Sequence, residues 1–286
     1  MLSRRKFNRL LIQSSLLSSL GLHINAEGGN SVPNPGVQLY TVRDLLEHGP
    51  RYTFESLSAM GFTHAEWFDV TTLKSLGPMA QSSGLEISSC HILVPYLTDQ
   101  PEKLLDKLAE FGVSNLVLGY LLEEERLSLD QYKRLIDQLN KFGGHCLERD
   151  IRLAYHNHAF EFDPMEGVRP FDLMIDHLSS ELVSFELDVF WLRFAGLDPA
   201  AMIRRLGNRC TMLHLKDLKL PPTPVAQDTA TPDMFVELGK GEIDLPAVLA
   251  AAKEVGVSQY YIEQDWAAGN PLDSLQHSLK YFRSIL

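Results

Sequence analysis

The stretch Tyr155–Phe162, YHNHAFEF, places His156, His158 and Glu161 within six positions. His156 and His158 are two apart, so an extended strand presents them on one face. The same spacing recurs downstream: Glu186 and Asp188 in FELDVFW, His214 and Lys216 in LHLKD, Glu263 and Asp265 in YIEQD. Upstream, AEWFD offers Glu66 and SSCHI offers His91. Burying one unpaired carboxylate costs several kcal/mol or more, and several converging acids repel one another. A divalent metal removes that objection. Oxygen and imidazole donors together suit Mn2+, Mg2+, Co2+ or Zn2+. Plainer roles compete. His156 could be a core histidine bonded to a carbonyl, Glu186 an ion-paired residue below the site, and Lys216 the partner of a neighbouring acid. Asp217 and Asp265 could simply begin loops. Glu161, Asp188, His214 and Glu263 come from four successive strand candidates, and on these four the metal expectation rests.

Such a site needs strands that deliver residues to one end. Strand-like runs cover Val37–Thr41, His64–Phe68, Glu86–Ile92, Asn115–Tyr120, Arg152–His158, Val183–Phe190, Thr211–Asp217 and Tyr260–Asp265, with helical patterns between them. In DQPEKLLDKLAEFG the apolar residues Leu104, Leu105, Leu108 and Phe111 fall on one helical face, with Gly112 as a stop. In DLPAVLAAAKEVG, Asp244 reads as the N-cap and Gly256 as the stop. Eight such units predict an α/β fold, a (β/α)8 TIM barrel over residues 37–286, whose strand exits carry the active site. A doubly wound sheet would be expected to carry a glycine-rich phosphate turn early on, and QLYTVRD has none. The Pro/Thr-rich stretch Leu218–Glu237 reads equally as a lid or as a surface insertion.

At 286 residues and 45% hydrophobic content, the chain can build one large core or two small domains. Residues 1–26 begin with Arg4, Arg5, Lys6 and Arg9, hold no acid, and continue through a modest apolar run to Ala26. That order is expected of an export signal of twin-arginine type, followed by a linker, residues 27–36. It implies the twin-arginine machinery as a partner and a periplasmic or exported location, membrane-tethered if the segment is uncleaved. Its removal would leave 22 Lys and Arg against 37 acids, a net charge of −15. So acidic a chain lacks the footprint for gripping nucleic acid. Cys90, Cys146 and Cys210 are scattered and odd in number, so each is expected to be a small buried residue rather than part of a disulfide or thiolate site.

Taken in order, GVQLYTVRDLL, YHNHAFEF, FELDVFWLRFAGLDP, LHLKDLK, ELGKGEIDLPAVL and YIEQDW resemble the sugar phosphate isomerase/epimerase family, the xylose-isomerase-like barrels. The resemblance implies one divalent metal held by Glu161, Asp188, His214 and Glu263. Its ketose 3-epimerase branch implies that Glu161 and Glu263 act as the proton-transfer pair, one on each side of the sugar carbon. Where those epimerases carry a substrate-binding His three residues after the aspartate, this chain has Trp191. Contacts to sugar hydroxyls must therefore differ. Some members with export signals resemble enzymes of oxidised sugars.

The expected activity is that of a divalent-metal-dependent isomerase or epimerase of a sugar-like hydroxy-carbonyl compound. A proton is removed next to the carbonyl and a metal-bound enediolate forms. A lyase or hydratase acting on a 3-keto sugar by β-elimination is the alternative, and a non-catalytic sugar-binding barrel the second. The apurinic endonuclease branch needs a multi-zinc site and a basic face, which the charge opposes. Glu66, His91, His156, His158, Trp191 and Lys216 are expected to contact substrate, with Trp67, Trp191 and Trp266 as aromatic walls. The partner is a small sugar or sugar derivative. Oligomeric state is not legible.

Overall fold

The structure, a computed structural model, describes residues 34–220 and 230–286. The expected signal segment, the linker as far as residue 33, and the middle of the Pro/Thr-rich stretch lie outside the described residues. Among the described residues no helix is long and apolar enough to cross a membrane.

The strands are β1 (Gly36–Gln38), β2 (His64–Trp67), β3 (Glu86–Leu93), β4 (Asn115–Tyr120), β5 (Arg152–His156), β6 (Val183–Asp188), β7 (Cys210–Leu215), β8 (Asp217–Leu218), β9 (Phe235–Val236) and β10 (Gln259–Ile262). Eight of them close into a parallel barrel in the order β1, β10, β7, β6, β5, β4, β3, β2. β8 and β9 form a separate antiparallel ribbon at the two ends of the Pro/Thr-rich stretch. The alternation of strand and helix signals thus yields the (β/α)8 barrel expected of it.

Alternation along each strand sorts the core into two parts. Outward residues such as Leu116, Leu153, Phe185, Leu213 and Tyr260 belong to the large apolar cluster under the helices. Each such side chain contributes roughly 1.5–3 kcal/mol by leaving water. Inward residues Val117, Ala154, Met212 and Tyr261 form a small apolar plug inside the barrel. Two positions further toward the strand exits, the same faces carry Gly119, His156, His214 and Glu263. The barrel interior therefore changes from apolar to polar within one pleat.

The helix Leu129–Leu147 shows how the outer layer is built. Ser128 caps it by accepting from the Gln131 amide, and Tyr132, Leu135, Ile136, Leu139 and Phe142 bury one face. The expected stops at Gly112 and Gly256 hold left-handed φ values of 82° and 83°. Several strands end earlier than the sequence pattern suggests. β6 stops at Asp188 because that carboxylate accepts from the Phe190 and Trp191 amides and starts the helix Val189–Phe194. All three cysteines are free and buried, as expected of small apolar residues.

Candidate active site

A cavity of about 550 Å3 opens at the strand exits. Its floor includes His91, His156, His214, Lys216, Glu263 and Asp265, and its walls include Tyr40, Phe68, Tyr120, Phe160, Trp191 and Trp266.

Asp188, His214 and Glu263 converge on this floor. The register places Asp188 opposite His214, and Glu263 follows from β10 beside β7. His214 Nδ1 lies 2.7 Å from Glu263 Oε2 and 3.9 Å from Asp188 Oδ2. The Phe190 and Trp191 amides occupy Asp188 Oδ1, and the Asn157 side chain accepts from the Asp188 amide. That leaves Asp188 Oδ2 facing the site. His156 supplies a fourth side, with Nε2 3.7 Å from Asp188 Oδ2. Lys216 Nζ lies 3.0 Å from Asp188, 2.7 Å from Glu263 and 2.6 Å from Asp265.

The charges do not balance internally. Around Lys216 stand three acids, so with the His214 ring neutral one further divalent cation would neutralise the group. Without that cation, burial opposes the His214 charge, but the surrounding carboxylates Glu186, Glu263 and Glu66 hold the ring protonated. Asp188 Oδ2, His214 Nδ1 and His156 Nδ1 are buried without an aligned hydrogen bond, although Lys216 and Glu263 lie within ion-pair reach of the first two. Asp188 Oδ2 and His214 Nδ1, oxygen and imidazole donors gathered beside Glu263, fit a hard to borderline divalent metal, whereas His156 Nδ1 faces Glu186 Oε2 at 3.2 Å. Burial opposes ionisation of Glu263, but Lys216 and His214 outweigh it and hold the carboxyl at about 2. Burial also works against the Lys216 ammonium, yet Asp188, Asp265 and Glu263 keep it charged. Burial, with Lys216 nearby, keeps the His158 and His156 rings neutral.

Beneath the floor lies a second layer. Glu66, on β2, is fully buried. Gln38 Nε2 donates to its Oε1 at 2.8 Å, Ser89 Oγ donates to Oε2, and His214 Nε2 lies within hydrogen-bond distance of Oε1. His91 Nε2 lies 3.0 Å from both Glu66 Oε1 and Glu186 Oε2. Burial penalises the Glu66 charge, but His91 and His214 hold its carboxyl well below the usual range. Burial, then the Glu66 charge, raises Glu186 to about 7.

Several expected site residues lie elsewhere. Glu161 is fully buried, but it does not line the cavity or join the cluster. Tyr155 and His156 are adjacent on β5, so their side chains take opposite faces; His156 points inward and Tyr155 toward the helices. Glu161, on the turn Phe160–Phe162, folds back to the outer side. It accepts from Tyr155 Oη at 2.7 Å and from the His158 amide at 2.9 Å. Burial raises it to about 7 against these hydrogen bonds. It is His156, on β5, and not Glu161 that lies beside Asp188. Glu66 does not reach the cavity, and Trp67 packs in the outer core with Nε1 bonded to Thr72. His91, His156, His158, Trp191 and Lys216 do line it. Sequence reasoning missed Gln38 and Ser89, while the pairing of Lys216 with a neighbouring acid, one of its plainer readings, is met by Asp265. The inward parity of each strand held the signal for all of them.

Residues 97–285 match the model of the xylose isomerase-like TIM barrel. The chain belongs to that family. Inosose dehydratase of Clostridium perfringens is 27% identical to this xylose isomerase-like barrel over 174 residues, 57% of this chain and 56% of the relative. The match thus spans little more than half the relative's length. A sugar phosphate isomerase/epimerase from Parabacteroides distasonis superposes with a TM-score of 0.70 at 24% identity, covering 89% of this chain and 95% of that one. The IOLI protein, whose structure holds a zinc atom, superposes with a TM-score of 0.68 at 15% identity, covering 88% and 98%.

Proposed function

We propose that this protein is a divalent-metal-assisted lyase, a dehydratase of a polyhydroxylated ketone. One observation carries the choice over epimerisation. Inversion at carbon needs a base on each face, and the second glutamate expected for that task, Glu161, faces the helices instead of the cavity. Loss of water needs one acid–base couple. Glu263 and Lys216, 2.7 Å apart, form one. The naming of the Clostridium perfringens relative as a dehydratase agrees.

A divalent cation held by Asp188, His214 and Glu263, with His156 as a further donor, would supply polarisation of the ketone carbonyl. The Glu263 carboxylate takes the proton from the carbon next to that carbonyl. The Lys216 ammonium gives a proton to the hydroxyl leaving the adjacent carbon, and a carbon–carbon double bond forms as water departs. Glu263 then returns its proton to Lys216. Asp265 holds the ammonium in place at 2.6 Å. His158, neutral and flanked by Tyr120, Phe160 and Trp191, orients hydroxyls while the aromatic walls exclude water.

The test is incubation of metal-loaded protein with inosose and a panel of ketoses and 3-keto-glycosides. Water loss with a new ultraviolet-absorbing product is expected from at least one. Stereochemical inversion or deuterium uptake without an unsaturated product would instead establish the isomerase/epimerase reading. Tight binding with neither would mark a sugar-binding barrel.

A further inference from the structure

We propose that Glu66 is a positioning residue for the cation site: a buried carboxylate that accepts the Nε2 proton of His214 and so aims the Nδ1 lone pair at Asp188 and Glu263. The inference deepens the proposed function and rests on its cation site.

Glu66 has no access to substrate. The register seats it between Gln38 on β1 and Ser89 on β3, and both neighbours donate to it. Neither neighbour carries a charge, so the negative charge of Glu66 is answered by imidazole N–H groups. A cation displaces the second proton of the His214 ring; the neutral imidazole that remains has one N–H, and the nitrogen left bare is the one that can bind the cation. With the proton on Nε2, His214 faces Glu66 Oε1, while Glu186 Oε2 stands 3.3 Å away. Its bare Nδ1 then faces Glu263 Oε2 at 2.7 Å and Asp188 Oδ2 at 3.9 Å. Lys216 Nζ, 3.0 Å from Asp188 and 2.7 Å from Glu263, offsets part of their charge, and the bare Nδ1 completes the three-donor set for a cation.

The other tautomer turns a bare Nε2 toward two buried carboxylates, Glu66 and Glu186, and forfeits the bond to Glu66. The layer of His91, His156, Glu186 and His214 has the donor set of a second cation site. There, however, His91 Nε2 lies 3.0 Å from both Glu66 and Glu186, so its proton already sits between the carboxylates. The lower layer is accordingly a proton-linked support for a single cation above it.

The test is titration of EDTA-stripped protein with Zn2+ in competition with a chromophoric chelator. Wild type should hold one equivalent tightly. Glu66→Gln keeps the shape and one acceptor but loses the charge, and should bind Zn2+ about 10–100-fold more weakly. Its circular dichroism and its melting temperature in EDTA should stay near wild type. Nitrogen-15 NMR of histidine-labelled, Zn2+-loaded wild type should show a proton on His214 Nε2 and none on Nδ1; this measurement decides the matter even if the variant does not fold. Unchanged Zn2+ affinity in folded Glu66→Gln, a proton on Nδ1, or two tight equivalents in wild type would each overturn the inference. If wild type turns substrate over and the variant keeps full affinity, the positioning role falls alone. If wild type neither binds Zn2+ nor turns over, the proposed function falls with it.

Discussion

His91 occupies space that Gly119 leaves open: a Cβ placed on Gly119 would lie 2.3 Å from His91 Nδ1. The two residues are inward-facing on neighbouring strands, and the Nδ1 side of the ring lies against the glycine. Gly119→Ala should therefore push the His91 ring away from Glu66 and Glu186. Overpacking of this kind costs about 1–3 kcal/mol. Urea unfolding should show that loss, and kcat/KM should fall with it. An alanine variant of full stability and activity would mean that the ring can move without consequence.

Asp217 fixes the loop that precedes the helix Leu245–Val255. Its Oδ1 accepts from the Leu218 and Ile243 amides, and its Oδ2 from the Gly239 and Gly241 amides, all at 2.9–3.1 Å. A side chain on Gly241 would collide with it, since a Cβ there meets Oδ1 at 2.2 Å. Asp217→Ala strands four amide donors, at a cost of about 3 kcal/mol or more. The melting temperature should drop, and limited proteolysis should cut near Gly239–Ile243. Cleavage elsewhere, with the loop intact, would show that other contacts hold it.

Much of this arrangement was legible from strand parity. His214, Lys216 and Glu263 share the inward faces of their strands with the plug residues Met212 and Tyr261, and Asp188 shares that of β6 with Glu186, so a period of two identifies the group. Asp217 looked like a loop start, and its role as an anchor depends on glycines more than twenty residues away that sequence spacing cannot bring near. Glu161 lies off the cavity for a local reason. Beyond His156 the chain leaves extended geometry, and counting by twos no longer reports direction. The resemblance named a glutamate, whereas β5 itself delivers His156. Gln38 and Ser89 carry no charge and draw no notice in a sequence, yet they flank Glu66 because barrel register makes them neighbours.

Glu161 should make stability pH-dependent in a way that its variant removes. Burial raises its carboxyl from 4.5 to about 7 in the folded protein. A raised value means that the folded state holds the proton more tightly than the unfolded state. The stabilisation is fully present below about 4.5 and is lost as pH rises through about 7. At 1.36 kcal/mol per unit the whole effect is about 3 kcal/mol. The difference in unfolding free energy between wild type and Glu161→Gln should therefore shift in favour of the variant between pH 5 and pH 8. Tyr155→Phe removes a donor to the carboxylate and should steepen the wild-type decline. Parallel pH profiles for wild type and Glu161→Gln would mean that the carboxyl titrates in its ordinary range.

Cation removal should be felt as lost stability centred on Asp188. A ligand present at about 100 times its Kd stabilises the folded state by about 2.7 kcal/mol. For a barrel of this size that corresponds to a melting shift of roughly 5–10 °C. Zn2+ or Mn2+ added to EDTA-stripped protein should raise the melting temperature by that amount. Asp188→Asn can keep the cap on the Val189–Phe194 helix through its side-chain oxygen, but it replaces the charged Oδ2 with an amide that repels a cation. The variant should melt near the EDTA-stripped wild type and respond to metal by no more than a degree or two at the same concentration. Metal-independent melting of the wild type would remove the ion from the site. An undiminished response in Asp188→Asn would move it away from Asp188.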